Sequence, residues 1–575
     1  MKNHSIVRLI KLISPYKVLV LITAVLVLLA NAAEIVKPII LKVVIDDFLI
    51  GNNPESGLYS IKAMSILYML VIFLNSLFTY AQANIMNYVG QGIVNDLRKK
   101  LFSHIQHLPL SYLQKYSTGR LITRATNDAE AVNEMFTDVF VSLFKDIVLI
   151  IGIVFVMFQL DTNLALIGLV AVPFIALVTY FFRKTIRENF QVVKSLIGQI
   201  NGFLAENISG MKLVQVFNRE LEKQREFEEL NDKYNEATIF QIKLSSVLRP
   251  IIEILQNITI AILIWYSMDS ILDYSLELGV VYAFTNYIKQ FFAPINDLAE
   301  SYNTIQSATV SADRIFELLD EEEVLEDLDT GMEVEGFKGS IEFKNVWFAY
   351  NDEDWILKDI SFRINPGETA AFVGATGAGK TTIINLITRF YESQKGEILI
   401  DGINIKEYKL HDLRKNVAVV LQDVFLFSGD IKSNIRLNSH ISDEEIEKVI
   451  DLSYSRDLIN ELPKGIDEPV RERGSTFSTG QRQLLSFARA IAHHPSILVL
   501  DEATANIDTK TELLIQKSID SISKDRTTLI IAHRLSTIRQ ADTIIFLDKG
   551  KIMEVGNHDE LIENGSYYKE LYEAQ

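Results

Sequence analysis

Gly374-Ala-Thr-Gly-Ala-Gly-Lys380-Thr381 is the stretch that decides how this chain is read. It has a glycine, four residues, then Gly-Lys-Thr. It follows a run that reads as a strand, Thr369–Val373, and opens a run that reads as a helix, Thr381–Phe390. Strand, glycine-rich loop and helix in that order are the context this pattern requires. Glycines let backbone N–H groups turn toward phosphate oxygens, and the helix N-terminus adds a favourable dipole. The candidate cradle comprises Gly374, Thr376, Gly377, Ala378, Gly379 and Thr382. Lys380 is placed to reach the β- and γ-phosphates, and Thr381 to hold Mg²⁺. The stretch predicts a nucleoside triphosphate site. A chance glycine-rich turn is the competing reading, and the full pattern in this context argues against it.

A second element of phosphate chemistry lies downstream. Ile497-Leu-Val-Leu-Asp501-Glu502 begins with four apolar residues, the signature of a buried strand. Its end delivers Asp501 toward a Mg²⁺ shell. Glu502 follows where an attacking water needs polarising.

Outside this half, the composition changes. The 575 residues suffice for about three or four domains. There is no cysteine, which excludes disulfides, thiolate metal sites and cysteine catalysis. A net charge of −18 argues against a nucleic-acid partner. Mean hydropathy is +0.17 although 23% of residues are charged, so an apolar part is joined to a charged one.

The apolar part is N-terminal. Six apolar stretches occur near 17–45, 60–90, 137–160, 163–183, 245–272 and 278–300. Most reach the ~20 residues needed to cross a bilayer. The first is too long for a cleaved signal peptide and lacks its small-residue cleavage site. The N-terminus carries Lys2, Arg8, Lys11 and Lys17; Arg98, Lys99, Lys100, Lys115, Arg120 and Arg124 lie between the second and third. Arg183, Lys184, Arg187 and Lys194 lie between the fourth and fifth, whereas the connections 46–60, 161–163 and 273–277 hold no Lys or Arg. The positive-inside rule therefore places both termini and the two long loops in the cytoplasm. The flanks of those loops, 91–136 and 184–244, read as helical extensions of the spans. About 25 extra residues would project roughly 35–40 Å, enough to reach a soluble motor.

Ionisable and aromatic residues within the spans are the substrate candidates. Glu34, Glu253, Tyr282 and Phe284 are singled out, against the plainer readings of local pairing and interface packing. The run Asp320–Gly331 is strongly acidic and reads as a solvated hinge. The expected organisation is a six-helix α transmembrane domain over 1–320, a linker over 321–336 and an α/β nucleotide-binding domain over 337–575.

Further motifs follow in a fixed order: Trp-Phe-Ala-Tyr350, Val-Leu-Gln422-Asp, Glu468-Pro-Val-Arg-Glu472-Arg-Gly474, Phe477-Ser478-Thr479-Gly480-Gln481, Ala505-Asn-Ile-Asp508 and Ile-Ala-His533-Arg. Together with the phosphate loop they resemble the ATP-binding cassette transporters, specifically exporter half-transporters of the multidrug type, over essentially the whole chain. The resemblance implies an adenine-stacking ring at Tyr350 and a glutamine at Gln422 that senses Mg²⁺ and the γ-phosphate. It implies a signature motif contacting ATP through Ser478, Gly480 and Gln481, and a switch histidine at His533 touching the γ-phosphate. The cofactors implied are ATP and Mg²⁺.

One phosphate loop, one signature and one set of spans are present. In the family, ATP is sandwiched between the phosphate loop of one cassette and the signature of another, so the resemblance implies a second half-transporter as partner. The signature departs from the family at Thr479, where glycine is usual, and at Phe477, where leucine is usual. Lys380, Asp501, Glu502 and His533 are intact. This combination points to a heterodimer, with a homodimer that tolerates threonine as the alternative. The implied activity is ATP-driven export of a hydrophobic or amphipathic substrate across the cytoplasmic membrane. A lipid flippase is the main alternative, and an ATP-gated channel or sensor ATPase a remote one.

Overall fold

The computed structural model describes residues 2–50, 61–272, 276–321, 329–351, 354–501, 509–531 and 535–574. The described residues form two compact units, one of residues 1–103 and 119–320, the other of 104–118 and 321–575.

The first unit is helical. Its elements are α1 (Lys2–Leu12), α2 (Lys17–Val43), α3 (Ile61–His107), α5 (Thr118–Thr123), α6 (Ala129–Glu134), α7 (Val141–Leu160), α8 (Thr162–Ser209), α9 (Met211–Val216), α10 (Glu220–Leu272) and α11 (Leu278–Leu319), while α4 (Leu110–Lys115) belongs to the second unit. Long apolar segments fold this way because a helix satisfies every backbone N–H and C=O within itself. At 48 and 53 residues, α8 and α10 are about 70–80 Å long, far beyond a bilayer's apolar core. Among the described residues, Ser14–Ile50, Ile61–His107, Thr118–Leu160 and Pro250–Met268 are each long and apolar enough to cross a membrane. The stretches 163–183 and 278–300 fall on α8 and α11. Within α8 the apolar segment is shorter, Thr162–Phe174. The last stretch includes Lys289, Asp297 and Glu300.

The helical core is built where α7, α10 and α11 meet. Leu149, Ile153, Leu263, Phe284, Tyr287 and Phe292 are buried there. The Tyr287 hydroxyl donates to the Ile35 carbonyl at 2.7 Å, which ties α11 to α2. The turn between α7 and α8 is short, and the Asp161 carboxylate caps α8 by accepting from Leu164 N at 2.8 Å. Farther along α11, Ser311 Oγ donates to the buried Asp128 at 2.7 Å and Arg314 pairs with the same carboxylate at 3.3 Å. Leu21, Val25, Leu28 and Trp265 stand exposed on the outside of the bundle, a surface suited to lipid.

The second unit is α/β. An antiparallel sheet orders its strands β2-β1-β4-β5, from β1 (Ile341–Ala349), β2 (Trp355–Ile364), β4 (Lys395–Ile400) and β5 (Ile403–Asn404). A six-stranded sheet orders β12-β11-β3-β10-β9-β6, from β3 (Thr369–Gly374), β6 (Val417–Val420), β9 (Ile497–Asp501), β10 (Thr527–Ile531), β11 (Thr543–Asp548) and β12 (Lys551–Gly556). A two-residue pair, β7 (Gly429–Asp430) and β8 (Pro469–Val470), completes the strands. All neighbours in the larger sheet are parallel except β11 and β12. Strands buried on both faces carry unbroken apolar runs, as β10 does with every residue buried. In such a sheet, ligands sit beyond the carboxyl ends of the central strands. Here those ends deliver Gly374 from β3 and Asp501 from β9.

The acidic stretch read as a free hinge is partly tied down. Residues 322–328 lie outside the described residues. Asp329 accepts from His411 N at 2.8 Å, Glu333 pairs with Lys409, and Val334 N donates to Asp412 at 3.1 Å. The His411 backbone N–H and the Lys409 ammonium hold the carboxylates of Asp329 and Glu333, which charge composition alone could not show.

Candidate nucleotide site

The phosphate loop leaves β3 and enters α12 (Lys380–Ile387). Gly374, Gly377 and Gly379 all have positive φ, at 148°, 84° and 105°. They differ in what surrounds them. A Cβ at Gly374 would lie 2.0 Å from the Leu547 carbonyl oxygen, and one at Gly379 would lie 2.6 Å from Leu357 Cδ2. At Gly377 nothing lies within 4 Å. Gly374 and Gly379 are glycines for the fold, whereas Gly377 borders open space in front of the loop. Thr376 and Thr381 are exposed; Ala378, Gly379, Lys380 and Thr382 are buried.

Lys380 Nζ donates to the carbonyls of Gly374 at 2.7 Å and Ala375 at 3.0 Å. The ammonium is thus curled onto its own loop. Burial pulls its pKa below the ordinary lysine value, against the opposing attraction of Asp501. A buried cation beside backbone dipoles of a helix N-terminus suits an anionic ligand.

Tyr350 stands beside the loop, partly exposed. Its hydroxyl is 3.1 Å from Thr382 Oγ1 and accepts from Asn385 Nδ2 at 3.1 Å. Its ring meets those of Phe348 and Tyr391 edge-on, with centroids 4.9 and 5.0 Å away. Tyr391 in turn donates its hydroxyl to Gln114 Oε1 on α4 at 2.7 Å. The sequence did not single out Asn385, Tyr391 or Gln114. None belongs to a spaced motif, and the three converge only when α4 and α12 are folded together.

Gln422 is exposed two residues beyond β6. Ser478 caps the helix Thr479–Ala492: its Oγ accepts from Gln481 N at 3.2 Å, and Ser478 N donates to Gln481 Oε1 at 2.9 Å. Gly480 is buried in the first turn. Thr479 is exposed and takes helical backbone, with its hydroxyl accepting from Arg482 at 3.4 Å. Glycine is not required there for conformation; any demand for it concerns room for a ligand. Glu502, Ala505, Asp508 and His533 lie outside the described residues.

The substrate candidates separate. Phe284 is fully buried in the helical core, where it packs rather than lines a cavity. Glu34 pairs with Lys37 at 2.5 Å and accepts from Asn75 Nδ2 at 3.0 Å. Tyr282 is 38% exposed on α11. Glu253 lines a cavity between α8 and α10.

Comparison with known proteins agrees with the two units. Residues 20–295 match the ABC transporter transmembrane region, and residues 357–505 match the ABC transporter domain. The chain is 40% identical over 522 residues to the probable multidrug resistance ABC transporter ATP-binding/permease protein YheH of Bacillus subtilis (strain 168), covering 90% of this chain and 77% of that one. The chain belongs to the ABC transporter family. An ATP-dependent lipid A-core flippase of Syntrophus aciditrophicus (strain SB) is 35% identical over 570 residues, covering 99% and 94%. The solved structure of a bacterial Atm1-family ABC exporter with ATP bound superposes with a TM-score of 0.80 at 27% identity, over 97% of this chain and 98% of that one. This ABC exporter is therefore a membrane protein that binds and hydrolyses ATP to drive export.

Proposed function

We propose that this ABC exporter is one half of a dimer that moves a hydrophobic or amphipathic, drug-like compound out across the cytoplasmic membrane by alternating access. Both termini and the long helical extensions face the cytoplasm in this reading, as the Lys and Arg of the loops require. The observation that carries it is the cassette itself. It has one phosphate loop with a buried lysine and one capped signature helix, and a sandwiched ATP needs the first from one cassette and the second from another.

Bound ATP supplies a phosphoanhydride whose cleavage drives the cycle. Lys380 leaves the Gly374 and Ala375 carbonyls for the β- and γ-phosphates, and Tyr350 stacks on the adenine. Thr381, Gln422 and Asp501 are the residues that would hold Mg²⁺, whose charge offsets that of the phosphates. Glu502 polarises the attacking water, and His533 contacts the γ-phosphate. Ser478, Gly480 and Gln481 serve the site of the partner cassette.

The intact Glu502 beside the altered signature at Thr479 supports a heterodimer. A homodimer is the competing assembly. Among substrates, a lipid is the second reading, because a relative of comparable length carries the name of a lipid A-core flippase. The test is Mg²⁺-ATPase turnover of the purified chain alone, beside the chain co-expressed with its genomic neighbour, each with a Glu502→Gln control. Turnover only in the pair, abolished by the control, supports the heterodimer. Equal turnover from the chain alone refutes it.

A further inference from the structure

Residues Asp423–Ser428, between Gln422 and β7, form neither helix nor strand. Leu426 is buried among them, while Phe425 and Phe427 are exposed. One buried side chain does not fix the path of such a loop; its backbone N–H and C=O groups need partners. Two side chains supply them. Asn434, buried on the helix Ile431–Arg436, accepts from Phe427 N at 2.8 Å. Its Nδ2 donates to the carbonyls of Phe427 at 2.8 Å and Asp430 at 3.0 Å. Arg489, on the signature helix Thr479–Ala492, donates Nη1 to the Phe425 carbonyl at 3.0 Å. The same guanidinium donates Nε to the Asn434 carbonyl at 2.9 Å and Nη2 to Asn434 Oδ1 at 3.1 Å. Oδ1 of Asn434 thus accepts twice and Nδ2 donates twice, the full capacity of a side-chain amide.

The oxygens that Arg489 meets in these three bonds are all uncharged. Burial pulls its pKa below the ordinary arginine value. Holding a cation this way costs solvation that a neutral side chain would keep. What arginine adds is a planar fork whose donors point in fixed directions. The loop is braced on a second side as well. Gly429 pairs with Val470 and Asp430 with Pro469 between β7 and β8. Gly474 has a φ of 66°, and a Cβ there would lie 2.8 Å from Leu426 Cδ1.

Position connects this network to ATP chemistry. Gln422 stands between β6, which ends at Val420, and Phe425, the first residue that Arg489 holds. Ser478 caps the N-terminus of the helix that carries Arg489, about 15 Å along its axis. We infer that Arg489 and Asn434 are positioning residues for ATP hydrolysis: they fasten the loop behind Gln422 to the signature helix, so that Gln422 and Ser478 are presented from one rigid piece. They act through that loop and helix rather than on ATP itself. The inference rests on the roles proposed for Gln422 and the signature.

The test uses the full-length protein as assembled, carrying Glu502→Gln so that ATP binds without turnover. The readout is the Mg²⁺ concentration at which ATP gives half of its rise in melting midpoint. Gln422→Ala is the benchmark and should raise that concentration about tenfold. Arg489→Gln should raise it about three- to tenfold, with Arg489→Lys recovering part of the loss. Asn434→Asp keeps an acceptor for Arg489 but loses both donations to the loop. It should shift the same way, and it carries the test if Arg489→Gln does not fold. With Glu502 restored, Arg489→Gln and Asn434→Asp should lower kcat about tenfold and leave the KM for ATP within about twofold, since Tyr350 and Lys380 are untouched. A lower melting midpoint without nucleotide, with Mg²⁺ dependence and kcat unchanged, makes the pair structural only and overturns the inference. So does a shift in Gln422→Ala that neither Arg489→Gln nor Asn434→Asp reproduces; the Gln422 assignment then stands. No shift in Gln422→Ala removes that assignment, and the inference falls with it.

Discussion

Alanine at Gly374 and alanine at Gly377 are the same change three residues apart with different consequences: one glycine serves the sheet, the other the ligand. At Gly374 a methyl group would meet the Leu547 carbonyl oxygen at 2.0 Å, and Leu547 is its register partner between β3 and β11. The strands would have to separate by about an ångström to restore van der Waals contact. Such overpacking costs roughly 1–3 kcal/mol, and a left-handed backbone for alanine about 1–2 kcal/mol more. The sum is about 2–5 kcal/mol, or roughly 4–20 °C in the melting midpoint of a domain of this size. At Gly377 only the backbone term applies, since nothing lies within 4 Å. Reduced freedom of the unfolded chain offsets about 0.4–1 kcal/mol of it. The net is roughly 0–1.6 kcal/mol, or a few degrees. The assay is a thermal melt of the full-length protein with and without ATP. Gly374→Ala should melt far below wild type without nucleotide. Gly377→Ala should melt near wild type without nucleotide yet lose most of the stabilisation that ATP confers, because its methyl group occupies the phosphate space. A Gly374→Ala protein that melts within a degree or two of wild type would refute the reasoning. So would a Gly377→Ala protein that keeps the full ATP shift.

Glu502→Gln should lower ATP turnover by orders of magnitude and leave nucleotide binding intact; unchanged turnover removes the role assigned to Glu502. Thr479→Gly should raise turnover of the assembled transporter while costing the cassette about 0.5–1 kcal/mol, since threonine already fits the helix; lower turnover means the hydroxyl is used. Glu277→Gln should destabilise by about 0.2–1 kcal/mol at neutral pH, because Lys42 at 2.6 Å ties the ends of α2 and α11 but Glu277 is 62% exposed. The hydrogen bond from Lys42 holds the Glu277 pKa below the ordinary glutamate value. The contribution is therefore present above that ordinary value and lost as pH falls through the lowered one. Melts of wild type and Glu277→Gln should diverge at neutral pH and converge in acid, and a difference that persists in strong acid would count against the ion pair.

The sequence by itself determined the chemistry of the cassette. A phosphate loop is local: its glycines, lysine and threonine are consecutive, and their strand and helix are adjacent in the chain. The apolar stretches were legible in part, because a helix in lipid satisfies its backbone within a single segment: four of the six fall on helices long and apolar enough to cross a membrane among the described residues. Tertiary structure decided the rest. The partners of Tyr350 come from residues 382, 385 and 391, and Tyr391 reaches Gln114 some 277 positions away. No spacing rule joins such distant residues. The four substrate candidates looked alike in sequence, as polar or aromatic side chains in apolar helices. Folding sent Phe284 into the core, brought Asn75 from another helix to Glu34 beside its local partner Lys37, and set Glu253 against a cavity. Which face of a helix is buried depends on what packs against it, and for these long helices the packing partners lie on other segments of the chain.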